Sequence, residues 1–196
     1  MKWTSELPRT EGGWRTILAD PPWHEQGSGR CIRGAQKYYP LMSEEEICAI
    51  PLREIVADQA HLYLWATNNH FPSALTVMET WGFTYKTCIT WAKTSAGFGL
   101  GQYFRGMTEH CLFGTRGPTL PYRKKHDGKR AQGTTLILAP RGEHSVKPAK
   151  IYEFAETVSY EPRLELFARQ KRQGWTVWGL EAPTASQSLL DHTFSR

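Results

Sequence analysis

Arg15-Thr16-Ile17-Leu18-Ala19-Asp20-Pro21-Pro22-Trp23 is the stretch whose reading decides the fold. Its first five residues are short, β-branched or apolar, and read as one strand. The strand meets a carboxylate, two prolines and an indole in immediate succession. Asp-Pro alone is common turn chemistry, but this combination is rarely drawn together by chance. If the strand belongs to an open α/β sheet, the four residues stand at the edge where such sheets bind ligands.

Outward from that stretch, β-rich runs alternate with amphipathic ones, the pattern of an α/β domain with a mainly parallel sheet. Ser43 followed by Glu46 forms a capping box ahead of Ile47 and Ile50, and residues 51–55 read as a further turn. A strand is expected over 61–67. A helix is expected over 72–81, stopping at Gly82, and a strand over 85–93. A long segment rich in Lys, Arg, Gly and Pro over 115–133 precedes another strand at 134–139. A helix over 148–158 has Ile151, Phe154, Ala155 and Val158 on one face. Strands at 163–167 and 176–178 close the domain. Residues 1–181 are read as one domain and 182–196 as a loosely held tail.

The chain has 196 residues, 40% of them hydrophobic, enough for one sizeable core. Its 24 Lys and Arg against 19 Asp and Glu give a mild basic excess that suits a polyanionic partner. No apolar run approaches the roughly 20 residues that span a bilayer, and the first residues lack the apolar stretch of a secretory signal. A cytoplasmic protein is expected. Cys31, Cys48, Cys88 and Cys111 are scattered, without Cys-x-x-Cys pairs, so neither a disulfide framework nor a metal site is signalled. The glycines at 97, 99 and 101 lack the third spacing of a dinucleotide fingerprint, which counts against a nicotinamide oxidoreductase.

The chemistry of Asp20 to Trp23 can be argued residue by residue. The exocyclic amine of adenine shares its lone pair with the ring and is a poor nucleophile. Activating it requires acceptors that hold its hydrogens. Asp20 and the Pro21 carbonyl are acceptors, and the Pro21-Pro22 step has no N–H to compete and fixed φ angles that preorganise them. Trp23 is the expected stacking surface for the base.

Asp20-Pro21-Pro22-Trp23 after a strand resembles the signature of the MT-A70 family of adenine methyltransferases. Ordered matches extend the resemblance from about Ile17 to Glu181. They are Tyr39 with Met42-Ser43-Glu44, Leu62 to Thr67 with Trp65, Trp81-Gly82-Phe83, Trp91-Ala92-Lys93, Glu109-His110-Cys111-Leu112, Ser145-Val146-Lys147-Pro148, and Glu165 to Arg169 followed by Gly174-Trp175 and Trp178-Gly179. The resemblance implies a Rossmann-like class I methyltransferase fold with helices on both faces of the sheet and a permuted motif order, the catalytic loop preceding the donor-binding segment. It implies S-adenosylmethionine as methyl donor and no metal. It places the donor across Asp20, Lys147, Phe167, Arg169 and Arg172, with Glu181 at the ribose. Read without the resemblance, Lys147 is equally a solvated helix N-terminal residue, and 169–172 an ordinary charged loop. Leu180 departs from the family's amide at this point, which leaves Glu181 to carry the ribose contact alone.

For nucleic acid, the basic segment with Arg116, Arg123, Lys124, Lys125, Lys129 and Arg130 is the candidate phosphate contact, against a loop merely kept soluble by its charge. Tyr39 is the candidate base contact, against a core tyrosine. Glu109 and His110 read as bare sequence are a strand-edge pair, and Trp65 a core residue. DNA is preferred to RNA as substrate because nothing in the chain resembles the zinc-finger regions of the eukaryotic mRNA enzymes. RNA methylation by the same chemistry and an inactive nucleic-acid-binding partner subunit are the alternatives. A homodimer or a partner subunit, and a bacterial or phage-infected cell, complete the expectations.

Overall fold

The computed structural model describes residues 6–24, 40–94, 103–118, 123–142 and 146–179. Among them, seven strands form one sheet: β1 (Trp14–Ala19), β2 (Val56–Ala66), β3 (Thr84–Lys93), β4 (Thr108–Arg116), β5 (Leu136–Ala139), β6 (Arg163–Leu166) and β7 (Thr176–Trp178). Their order is β5-β3-β4-β2-β1-β6-β7. All pairings are parallel except the two made by β4, which runs antiparallel between β2 and β3. β4 therefore begins at the edge where β2 and β3 end.

Three helices flank the sheet: α1 (Glu44–Cys48), α2 (Phe71–Thr80) and α3 (Lys150–Val158). β1 and β2 are apolar on both sides, as a sheet covered on both faces demands. Ile17, Leu62 and Leu64 pack with Ile47 of α1 and Ala74, Val77 and Met78 of α2. The alternate residues Leu18, Tyr63 and Trp65 pack with Ile151 and Ala155 of α3. Helices on both faces are thus what the strand alternation builds. The expected apolar stripe of α3 is only partly submerged, because Phe154 and Val158 stay half-buried.

Local signals do what their chemistry dictates. The Ser43 hydroxyl accepts from the Glu46 N–H at 3.2 Å, and the Glu46 carboxylate accepts from the Ser43 N–H at 2.8 Å, a complete capping box. The turn at Leu52–Glu54 is a single 3-10 turn. α2 ends at Gly82, whose φ of +83° is the left-handed conformation glycine adopts without strain. Its N–H donates to the Glu79 carbonyl at 2.8 Å.

Register positions the loop of interest. Ala19 lies opposite Leu64 of β2 and Leu166 of β6. Asp20 therefore emerges between the carboxyl ends of two parallel neighbours, in the crevice where open α/β sheets take ligands.

At the opposite edge, a buried polar cluster ties β2 to the end of α3. The Ser159 hydroxyl is shared at 2.8 Å by His61 Nδ1 and the Tyr63 hydroxyl. Burial first, and the nearby charge of Arg15 second, push His61 down to about 4 from its ordinary 6.5. In the folded chain the imidazole thus takes a proton only near pH 4, whereas in the unfolded chain it does so near 6.5. Its contribution to stability is complete above pH 6.5 and is lost as pH falls from 6.5 towards 4, by up to about 3 kcal/mol. Urea midpoints measured between pH 7 and 4 should fall across that window and flatten in His61→Gln.

Candidate active site

The loop after β1 is held from several directions. The Trp23 N–H donates to the Pro21 carbonyl at 2.9 Å, the Met42 N–H to the Pro22 carbonyl at 2.8 Å, and the His24 N–H to the Met42 carbonyl at 3.1 Å. The Trp23 indole N–H donates to the Trp65 carbonyl at 2.9 Å. His70 stacks on the indole at 5.5 Å between centroids and 16° between planes. His70 Nε2 donates to the His24 carbonyl at 3.0 Å, and its Nδ1 accepts from the Thr67 hydroxyl at 2.8 Å, partners that fix the tautomer. Trp23 is left 8% exposed. One face of the expected stacking surface is thus taken by His70. With its N–H engaged and a face covered by His70, Trp23 is the anchor of the loop. The Pro21 carbonyl keeps a second lone pair, whereas the Pro22 carbonyl is bound to residue 42.

Asp20 stands at one end of a chain of alternating charges. Lys147 Nζ lies 2.7 Å from Asp20 Oδ2 and 3.4 Å from Glu109 Oε2. Lys93 lies 2.5 Å from the other oxygen of Glu109. The side chains of Lys147, Glu109 and Lys93 are 14–18% exposed, and that of Asp20 is 30% exposed. Two cations and two carboxylates cancel, which lets four charges share a partly buried site. Burial raises Asp20 above the usual aspartate range against the opposing pull of Lys147. Burial acts the same way on Glu109, but Lys147 and then Lys93 outweigh it and hold this carboxyl low. The two carboxyls are thus shifted in opposite directions, and Asp20, the one raised, is the one at the crevice.

Beside Asp20, a cleft is lined by Leu18, Trp65, Lys147, Tyr152, Glu165, Phe167 and residues 169–172. Phe167 has a φ of +63°, a conformation that costs a non-glycine residue about 1 kcal/mol or more and is typical of functional loops. The surroundings impose it. The Ala168 N–H donates to the Trp178 carbonyl at 3.0 Å, and Phe167 packs edge-on against Trp178 at 5.7 Å. Gly179 approaches so closely that a Cβ there would lie 2.1 Å from the Ala168 oxygen. Tyr152 donates to Glu165 at 2.8 Å, and the Arg172 guanidinium covers the Tyr152 ring at 3.6 Å. The charge of Arg169 reaches Asp20.

The cleft fits the methyl donor that the motifs imply. Lys147, Arg169 and Arg172 offer cations to a carboxylate, Asp20 and Glu165 offer acceptors to an ammonium and hydroxyls, and Phe167 offers a ring to a purine. Trp65 adds an independent indication. It is 1% exposed, and its indole N–H has no partner among the described residues, an arrangement that costs roughly 1–3 kcal/mol unless an acceptor is supplied. Trp65→Phe removes the N–H together with the five-membered ring of the indole. It should weaken binding of S-adenosylmethionine by roughly three- to tenfold in calorimetry, and the cavity it leaves should lower Tm without ligand.

The remaining expected residues fall elsewhere. Tyr39 and Glu181 lie outside the described residues. Arg116 is at the end of β4 remote from Asp20 and donates to the Arg53 carbonyl at 3.0 Å. Arg123 donates to the carbonyls of Glu156 and Ser159, the latter at 2.8 Å, and so closes the C-terminus of α3. Both arginines, expected as phosphate contacts, thus also fasten backbone carbonyls of the fold. Lys124, Lys125, Lys129 and Arg130 stand exposed on a short hairpin, where Lys124 bridges Arg130 and Lys129 lies 3.7 Å from Asp127. Sequence reading missed Trp65, Glu165 and Lys93 as members of the site. Glu165 had a signal, since it is a carboxylate between Leu164 and Leu166 of a buried strand.

A Rossmann-like sheet with an acid, two prolines and a cation-lined cleft at its carboxyl edge is the arrangement of a methyltransferase. The chain belongs to the MT-A70 family, whose model matches residues 14–181, a family of adenine N6-methyltransferases that use S-adenosylmethionine. It is 28% identical over 197 residues to the type II methyltransferase M.MunI of a Mycoplasma species, covering 91% of this chain and 81% of that one. It is 25% identical over 165 residues to the catalytic subunit METTL3 of the human N(6)-adenosine-methyltransferase, covering 81% of this chain and 26% of the other. With the human N(6)-adenine-specific methyltransferase METTL4 the identity is 27% over 177 residues, covering 84% and 36%. The chain thus spans most of the Mycoplasma protein and about a quarter to a third of the human ones.

Proposed function

We propose that this chain transfers the methyl group of S-adenosylmethionine to the exocyclic amine of adenine in DNA. The observation that carries the reading is the Lys147 bridge between Asp20 and Glu109 beside the cleft. Bound S-adenosylmethionine supplies the electrophilic methyl. The Asp20 carboxylate and the Pro21 carbonyl accept the two amine hydrogens, which frees the nitrogen lone pair from the ring. As the nitrogen gains carbon it must shed one proton, and Asp20, held above the usual aspartate range, is the acceptor in place. Lys147 keeps Asp20 ionised until then and offers a second N–H to the donor carboxylate.

DNA is favoured over RNA by the near whole-length correspondence with a type II methyltransferase. The hairpin lysines 124, 125 and 129 with Arg130 contribute sequence-independent phosphate attraction on this reading. The enzyme then works on DNA in the cytoplasm of a bacterial or phage-infected cell.

The test is transfer of a labelled methyl to unmethylated duplex DNA, single-stranded DNA and RNA, with the nucleosides identified by mass spectrometry. N6-methyladenine from DNA is expected. Product from RNA alone would move the substrate to RNA, and no product despite donor binding would leave a partner-dependent subunit. Because ionised Asp20 is required, activity should fall on the acid side at a pH above the ordinary aspartate range. A kcat profile that is flat down to pH 4 on a stable enzyme would remove Asp20 as proton acceptor.

A further inference from the structure

The burial of Trp23 leaves a question about what supports the nucleic acid at the site edge. Two rings there are almost wholly in solvent: Tyr103 is 87% exposed and Phe104 is 90% exposed. Two adjacent aromatics held in water are costly unless they meet a partner. They lie on residues 103–107, which lead into β4 at the edge where Asp20 emerges. The Lys93 N–H donates to the Met107 carbonyl at 2.9 Å, and two residues further Glu109 joins Lys93 and Lys147 in the charge chain. Phe104 stands five positions before Glu109, a reach of at most about 18 Å. Arg105 follows directly and is exposed, as is Arg141 just beyond β5, whose Ala139 is in register with Lys93 at the same edge.

We infer that Tyr103 and Phe104 form a stacking platform for the nucleobase next to the target adenine, with Arg105 directed to the backbone phosphate. Open aromatic faces beside a guanidinium are the combination that holds unpaired bases without reading their identity. A neighbouring base stacked there resists sliding back over the gap left by the target, so the platform favours the extruded state of the adenine. The inference rests on the nucleic-acid methyltransferase reading given above.

The experiment uses the full chain and an oligonucleotide that it methylates, in three forms: intact, and with an abasic residue on the 5′ or the 3′ side of the target adenine. For the wild type, one abasic form should raise the oligonucleotide KM roughly tenfold, within the range for stacking one base on an aromatic side chain. Tyr103→Ala combined with Phe104→Ala should raise the KM for the intact oligonucleotide by a similar factor, and the abasic form should add little further. The Kd for S-adenosylmethionine should stay unchanged. A wild type indifferent to both abasic forms overturns the platform while the methyltransferase reading stands. Independent, multiplying effects of variant and abasic residue overturn it likewise, as does a variant that changes oligomeric state with unaltered KM. A wild type that binds the donor but methylates neither DNA nor RNA overturns the reading and the platform together.

Discussion

Asp20→Asn should lower kcat about 10³-fold while changing Tm by no more than a few degrees. The amide keeps the shape of the side chain but loses the negative charge and the capacity to take a proton, effects each worth roughly 10²–10⁴ in comparable sites. The fold should tolerate the change because Lys147 retains Glu109 at 3.4 Å and because Asp20 is the more exposed of the two carboxylates. Single-turnover methyl transfer at saturating donor and nucleic acid is the measurement, with donor Kd alongside. If the defect lay only in donor Kd, Asp20 would be a binding residue and the amine would need another acceptor.

Lys147→Met should do more damage to binding and stability together. The substitution leaves Glu109 with Lys93 but strips Asp20 of the cation 2.7 Å away. Removing one partner of a fully buried pair costs roughly 3–5 kcal/mol, and the 30% exposure of the Asp20 side chain brings the expectation down to about 2 kcal/mol. Donor affinity should fall roughly ten- to hundredfold, the range for a lost charged hydrogen bond. Without Lys147, Asp20 titrates higher still, so at low pH it becomes neutral and no longer suffers from the missing cation. The stability gap between variant and wild type should accordingly narrow as pH is lowered from 8 to 5. A gap independent of pH would mean that Lys147 acts by packing against Trp65, whose ring it faces at 5.6 Å.

The legible parts of this fold are those governed by neighbours in sequence. The capping box at Ser43, the stop at Gly82 and the strand feeding Asp20 each follow from a few adjacent residues, and all stand where the periodicity put them. The reversal of β4 did not follow, because an apolar strand such as Cys111-Leu112-Phe113 looks the same in either direction. Long-range chemistry was legible only through resemblance. Asp20 and Lys147 meet across 127 positions, and nothing in either segment alone announces the other. Arg123 is the instructive case. Composition grouped it with the lysines beside it, while geometry gives it two helix-end carbonyls. Trp23 shows the same limit, since an aromatic beside an acid suggests a stacking role, whereas its own partners, the Trp65 carbonyl and the His70 ring, lie far away in sequence.

The antiparallel course of β4 has an evolutionary consequence. The connection from Lys93 to Thr108 leaves and re-enters the sheet at the ligand edge, whereas the donor cleft is framed by β1, β6 and the start of α3. Lengthening that connection costs little, about 0.6 kcal/mol of loop-closure entropy for each doubling of length. On the inference drawn above, the grip on the base beside the target can change through this connection while the residues that frame the donor cleft stay as they are.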